Sequence, residues 1–292
     1  MSLVNRMLTA SFMLASGSFN SSGSNSSTVG YPLRMTFKGV AAGSATMVNC
    51  EMAIYGMPLS DMNQLTTLGT QTTQIGKNTV SVQAGDAVNG MTNIFSGTIT
   101  RAWVDAQAMP QVCFRLIAVT AGDQAIAPAA PTSYAGGTSV STVMGGIAGQ
   151  MGMQFEDNGG AGATQLSNPY FPGSLRQQAL DCAEAANCEH IIHLNTLAIW
   201  PAGQSRASGG SPLVSPQTGM AGYPMFDGAN ILVRTLFNPS ILPGGAITVQ
   251  SDLTPACGNW NVTKIEYDLE GNVPHGRWFQ NLVGSSAGQN VP

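Results

Sequence analysis

The sequence predicts a mainly β fold with a smaller α+β section, and three observations carry that prediction. Strand-length runs that alternate apolar and polar side chains recur toward both ends of the chain. The turns between them draw on 35 glycines and 16 prolines in 292 residues, the residues that supply tight-turn geometry. Only between residues 138 and 186 does the apolar spacing change to the three-and-four pattern of a helix.

The elements follow in order. Residues 7–17 read as a first strand rather than a signal peptide, because Thr9 and Ser11 interrupt the short apolar stretch and Arg6 is its single positive charge. Residues 20–29, rich in Ser and Asn, read as a flexible hairpin tip. Leu33, Met35 and Phe37 alternate with Arg34, Thr36 and Lys38, the pattern of a half-buried strand. A strand beginning at Glu51 closes on the turn Gly56-Met-Pro58, and after a polar excursion come strands ending at Gly85, running from Ile94 to Trp103, and spanning residues 113–119. The Ala/Pro run 125–131 marks a boundary.

In the middle, Thr138 or Ser139 caps a helix that places Val140, Val143, Met144, Ile147 and Met151 on one face, with Gly152 as its stop. A second helix starts near Ser174, with Leu175, Ala179, Cys182, Ala183 and Ala186 on one face, after a rigid turn over 168–173. Strands 190–194 and 197–200 join across Asn195-Thr196. Past a Gly/Ser/Pro-rich loop, 201–216, three antiparallel strands are expected over 231–237, 246–251 and 260–269, then a turn and an aromatic clasp ending at Phe279.

Composition narrows the function. The chain carries 11 basic and 15 acidic residues, 9% in all, where soluble domains average about 25%. With Ser, Thr, Asn, Gln and Gly supplying the polarity, such a surface suits contact with other subunits. The basic residues form no cluster and the net charge is −4, which leaves nucleic acid without an electrostatic footprint. No apolar run reaches the roughly 18 to 20 residues of a membrane-spanning helix. Five cysteines at irregular spacing, Cys50, Cys113, Cys182, Cys188 and Cys257, fit reduced thiols better than a disulfide framework.

No catalytic constellation is expected, and no metal or cofactor. Gly284-Ser-Ser-Ala-Gly288 fits the nucleophile-elbow pattern, but only four residues follow it, too few for the helix that must come next, and no histidine lies downstream. Gly145, Gly146 and Gly149 fall inside a helix rather than after a strand. Cys182, Cys188, His190 and His193 hold soft ligands within twelve residues. Six positions on a helix separate the two thiols by roughly 240°, and the two histidines have opposite strand parity, so these read as core groups. Glu156 and Asp157 are adjacent and the Asn158-Gly-Gly160 that follows them reads as a loop after a strand, while paired carboxylates for glycoside cleavage stay open as an alternative. Trp103, Trp200, Trp260 and Trp278, like the fifteen methionines, read as core and interface anchors. Glu266, Asp268 and Glu270 have two readings: the solvated face of a strand whose Ile265, Tyr267 and Leu269 point inward, or an acidic wall beside a channel.

The ordered strands from Glu51 to Ala118, with their Gly-Met-Pro turn, resemble the first domain of phage tail and baseplate hub proteins. Further along, Thr218-Gly-Met-Ala-Gly-Tyr-Pro224, Phe237 to Pro239 with Pro243-Gly244, and Leu269 with Pro274, Gly276 and Trp278 occur in the order such hubs show, so the resemblance covers nearly the whole chain from Leu33 to Phe279. The Ser/Asn-rich loop 20–29 departs from it.

That resemblance implies a structural virion protein and not an enzyme. It implies two tail-tube-like β-barrel domains, over 1–119 and 201–292, flanking a helix-containing section at 120–200. It further implies a homotrimer whose ring joins the tail tube protein to a spike protein and other baseplate proteins and adapts three-fold to six-fold symmetry, with DNA or tape measure protein passing through the lumen. The place is the tail tip of a virion assembled in the host cytoplasm, without a membrane. Trp103, Phe237, Pro239, Pro274, Gly276 and Trp278 are the structural and interface residues this reading singles out. The alternative is a secreted β-sandwich adhesin that binds glycan.

Overall fold

The computed structural model describes residues 5–20, 23–43, 46–70, 74, 76–107, 109–206 and 210–286. Strands make up 47% and helices 16%, so the expected mainly β class holds. The chain divides into two compact units, neither continuous in sequence. The first takes Met1–Gly39, Val48–Ile126 and Tyr267–Trp278, and the second takes Val40–Met47, Ala127–Glu266 and Phe279–Pro292.

In the first unit, β1 (Arg6–Met13) pairs antiparallel with β2 (Ser26–Val29) and, on its other side, with β5 (Thr79–Asp86). Part of the expected flexible loop 20–29 is therefore a strand. Its Ser26, Ser27 and Thr28 need no apolar alternation, because an edge strand is held mainly by its backbone ladder to β1. The strand order continues from β5 through β6 (Gly90–Asp105), β7 (Cys113–Val119) and β4 (Asn49–Tyr55) to β3 (Met35–Ala42). Register shifts in β6, opposite Val82/Gln83 and between Ile99 and Arg101, bend this long strand. Asp86 fixes the β5–β6 turn by accepting from the amides of Val88 and Asn89 at 2.8 and 2.6 Å. Those hydrogen bonds, the one from Asn89 first, hold its carboxyl below the ordinary range.

Alternation decides which side chains fill this unit. Leu8, Ala10 and Phe12 of β1, Met35 and Phe37 of β3, and Phe114 and Leu116 of β7 are all buried. Phe37 sits 6.3 Å from Phe95 and 6.1 Å from Tyr267, ring centre to ring centre. The polar excursion after Gly56 is a helix, α1 (Leu59–Leu65), with Met62 and Leu65 buried. A short α2 (Gly122–Ile126) ends where the first unit ends, inside the Ala/Pro boundary.

The second unit contains the helical section. β8 (Thr132–Ser133) and β9 (Gly137–Ser139) lead into α3 (Val140–Met151). Ser139 caps α3 by accepting from the amide of Thr142, and Gly152 ends it at φ 71°. After β10 (Gln154–Asp157), β11 (Gln165–Ser167) and β12 (Tyr170–Phe171) comes α4 (Leu175–Ala185), capped by Ser174. The buried face of α4 includes Gln178, whose amide donates to the carbonyls of Ala130 and Gly173 and whose Oε1 accepts from Thr132 Oγ1 at 2.6 Å. A fully paired amide can replace an apolar residue there. β13 (Cys188–His193) and β14 (Thr196–Pro201) form a hairpin, with Leu194 and Asn195 at positive φ in its turn, and β10 runs parallel to β14.

The rest of the second unit is a separate sheet path. β15 (Leu213–Val214) pairs parallel with β18 (Ala246–Val249), and β16 (Met225–Asp227) pairs with β17 (Asn230–Leu236). β18 pairs with β19 (Gly258–Gly271), and β17 pairs with β20 (Trp278–Ser286). Through Tyr267–Trp278 the end of β19 and the start of β20 belong to the first unit. Among the described residues neither unit shows pairing that closes its strands into a barrel.

Candidate functional site: the C-terminal clasp

The segment Tyr267–Trp278 is fastened within the first unit by backbone geometry and by charge. At Gly271 an added Cβ would lie 2.7 Å from the amide nitrogen of Leu8, so glycine lets the turn approach β1. Asn272, at φ 64°, donates its amide to the carbonyl of Arg6 at 2.8 Å. Its side-chain amide bridges the carbonyls of Leu8 and Leu33 at 3.1 and 2.7 Å. One asparagine thus ties three backbone points together.

Gly276 is the second close approach, since a Cβ there would stand 2.2 Å from the carbonyl oxygen of Glu270. The Gly276 carbonyl accepts from Arg6 Nη1 at 3.1 Å, and the same guanidinium lies 6.0 Å from the ring centre of Trp278. Trp278 is only 6% exposed. Pro274 stands exposed at the tip of the turn.

The three acidic residues of β19 alternate with buried Ile265, Tyr267 and Leu269, as a strand face requires. They are not a bare acidic wall. Glu270 Oε1 accepts from Arg34 Nε and Nη2 at 2.9 and 2.6 Å, Arg277 lies 3.6 Å from Asp268 and 3.7 Å from Glu270, and Lys264 pairs with Glu266 at 2.6 Å within the second unit. Arg34 also lies 4.8 Å from the ring centre of Tyr55. Each carboxylate therefore has a cation within reach.

Of the residues singled out from sequence, the structure brings Pro274, Gly276 and Trp278 together in the clasp. Trp103 stands half-buried on β6 with the Arg101 guanidinium 4.5 Å from its ring centre. Phe237, half-buried, and Pro239, exposed, follow β17 in the second unit. Arg6, Arg34 and Asn272 were not anticipated. The Gly-Asn pair at 271–272 is a local signal for a left-handed turn, but nothing local shows which strands its side chain bridges.

The Cys/His group is placed differently from the expectation. Cys188 begins strand β13 instead of lying on a helix with Cys182, because α4 ends at Ala185. His190 and His193 are both buried, and burial, then the charge of Arg176, lowers the His190 pKa to about 4. Among the described residues no three His, Cys, Asp or Glu side chains gather as a metal site. Glu156 and Asp157 end strand β10, the expected loop follows at Asn158-Gly-Gly160, and Glu156 is ion-paired with Arg206. Gly284, Ser285 and Ser286 are strand residues of β20, and Gly288 lies outside the described residues.

All five cysteines are free, and burial pushes the Cys182 thiol to about 12 and Cys188 to about 11. Cys257 alone is exposed. Its thiol is expected to react first in the native protein, and all five after denaturation without reductant; a thiol count below five would contradict this.

Residues 11–275 match the family Baseplate hub gp41. The chain belongs to that family. No protein of curated function matches it. The fold of this hub is similar to that of a tail protein from Neisseria meningitidis MC58, at TM-score 0.62 and 9% identity, covering 96% of this chain and 97% of that one. It is also similar to the 43 kDa tail protein of prophage MuSo2 from Shewanella oneidensis, at TM-score 0.54 and 6% identity, with coverage of 88% and 94%. A third similar structure is the E. coli c3393 protein, described as a component of the type VI secretion system with structural similarity to T4 bacteriophage tail proteins gp27 and gp5. There the TM-score is 0.51 and the identity 11%, over 87% of this chain and 74% of that one.

This hub is thus a tail structural protein, and the expected kinship with baseplate hubs holds. Among the described residues no helix is long and apolar enough to cross a membrane.

Proposed function

We propose that this hub forms a homotrimeric ring that joins the tail tube to the tail-tip spike and adapts three-fold to six-fold symmetry. The family match over residues 11–275 carries the reading. Low charge supports it: with 9% charged residues the chain has much neutral surface to place against neighbours. Exposed Met13, Tyr31, Leu68, Val88 and Met109 in the first unit, and Tyr223, Met225 and Phe226 in the second, add apolar surface. A closed ring covers such surface without open-ended growth.

In this reading the sections 1–119 and 201–292 are the two tube-like barrels of each copy, 120–200 decorates them, and six similar units surround the axis. DNA or tape measure protein passes through the lumen, the spike and other baseplate proteins attach at the tip, and assembly takes place in the host cytoplasm. The protein acts by scaffolding, with no catalytic step. Light scattering on purified protein is expected to give three times the chain mass, and image reconstruction a three-fold ring. A stable monomer at micromolar concentration would reject the ring.

A further inference from the structure

Helices α3 and α4 pack on each other, and together they cover one face of the small sheet whose strand order is β10, β14, β13. Register shows which side chains lie beneath them. Phe155 of β10 meets α3, where an added Cβ at Gly145 would stand 3.6 Å from its ring. Phe155 pairs with Leu197 of β14, and Leu197 with Ile192 of β13. Paired residues share a face and alternate residues return to it, so His190, two positions from Ile192, also lies under the helices. It is only 4% exposed. His193 has the opposite parity and belongs to the other face.

The groups around His190 offer a proton's charge nothing to pair with. α3 and β14 carry no ionisable side chain. On α4, half-buried Arg176 is the charge that acts on His190, Asp181 is engaged with Gln177 Nε2 at 2.6 Å, and Glu184 is exposed. On β13, Glu189 has the opposite parity, and the Cys188 thiol, on the same face as His190, is pushed up to about 11 by burial. Asp157 shares the face but stands beyond β14, and its Oδ1 accepts from the Gly162 amide at 3.0 Å. Glu156, of opposite parity, is paired with Arg206.

An imidazolium here is desolvated beside a guanidinium, which disfavours it twice. Burial first, then Arg176, lowers the His190 pKa from 6.5 to about 4. The covered layer therefore binds the proton less readily than the opened one. Its stability is full above pH 6.5 and is lost as pH falls from 6.5 toward 4. Over that window the opening equilibrium shifts on the order of a hundredfold. α4 is the element placed to respond, because Ala179, Cys182 and Ala183 on its buried face are small and give little apolar contact per turn.

We propose that His190 is an acid trigger that releases α4 from the sheet, a conformational device built into the second unit. It lies within one chain and stands apart from the ring. The test is labelling of the full chain with a pyridyl disulfide, a thiol reagent that also reacts in acid, at pH about 7.5 and about 4.5, read by peptide mass spectrometry. Cys182 reports on α4 because it is buried beneath it, exposed Cys257 corrects for the reagent's own pH dependence, and buried Cys50 reports on the first unit. Relative to Cys257, Cys182 is expected to label on the order of fiftyfold faster in acid, while Cys50 stays protected. His190→Phe and His190→Gln, uncharged at either pH, are expected to keep Cys182 protected. Unchanged Cys182 labelling in the wild type, equal acceleration of Cys50, or an undiminished response in either His190 variant that folds would each overturn the proposal.

Discussion

Trp278→Ala is expected to cost about 3–5 kcal/mol of folding stability. The ring is buried at the first residue of β20 and lies under the Arg6 guanidinium, whose Nη1 also holds the Gly276 carbonyl. Truncation removes a large apolar side chain and the surface over which Arg6 lies, and the neighbours cannot collapse freely. Gly276 is pinned by the Glu270 backbone, and Gly271 by Leu8. A loss of this size is a large share of a typical 5–15 kcal/mol total. Urea unfolding should show a lower midpoint, with Trp278→Phe in between. A cost under about 1 kcal/mol, the range of most surface substitutions, would show that the clasp does not depend on this ring.

Local patterns disclosed those parts of the fold whose causes are local. Ser139, Ser174 and Gly152 announce the ends of α3 and α4 because capping needs only the adjacent turn. The β7 strand matches its expected bounds, with burial alternating from Phe114 to Val119. The misses are of two kinds. β2 has little apolar alternation, since backbone pairing to β1 holds it, and such pairing leaves no trace in side-chain pattern. Helix α1 was overlooked for a different reason: Leu59, Met62 and Leu65 recur at helical spacing, but over only seven residues.

The candidate site was half legible by the same logic. Gly276 and Trp278 stand out as turn and anchor residues, while Arg6, some 270 positions away in the chain, meets Gly276 only after folding. The return of Tyr267–Trp278 to the unit built from Met1–Gly39 and Val48–Ile126 is equally non-local. Family resemblance in the ordered motifs supplied the function, which residue chemistry alone did not.

Arg206→Met is expected to destabilise the second unit by about 3–5 kcal/mol. Arg206 Nε donates to Glu156 Oε1 at 2.8 Å, and Nη2 pairs with Oε2. The two side chains are only 8% and 26% exposed. Asn158 Nδ2 donates to the same Oε1 at 2.8 Å, so the carboxylate is held from two sides at the end of β10. Removing the guanidinium takes from the largely desolvated Glu156 carboxylate its two-point partner, a costlier change than losing an exposed ion pair, which is worth about 0–1 kcal/mol. The sign reverses when both charges go. Replacing a buried pair by apolar groups is often neutral, so Arg206→Met combined with Glu156→Leu should recover most of the loss. A double-mutant cycle read by chemical denaturation measures this directly: strong coupling between the two sites is expected, and additive costs would show that Arg206 and Glu156 act as independent, solvated charges.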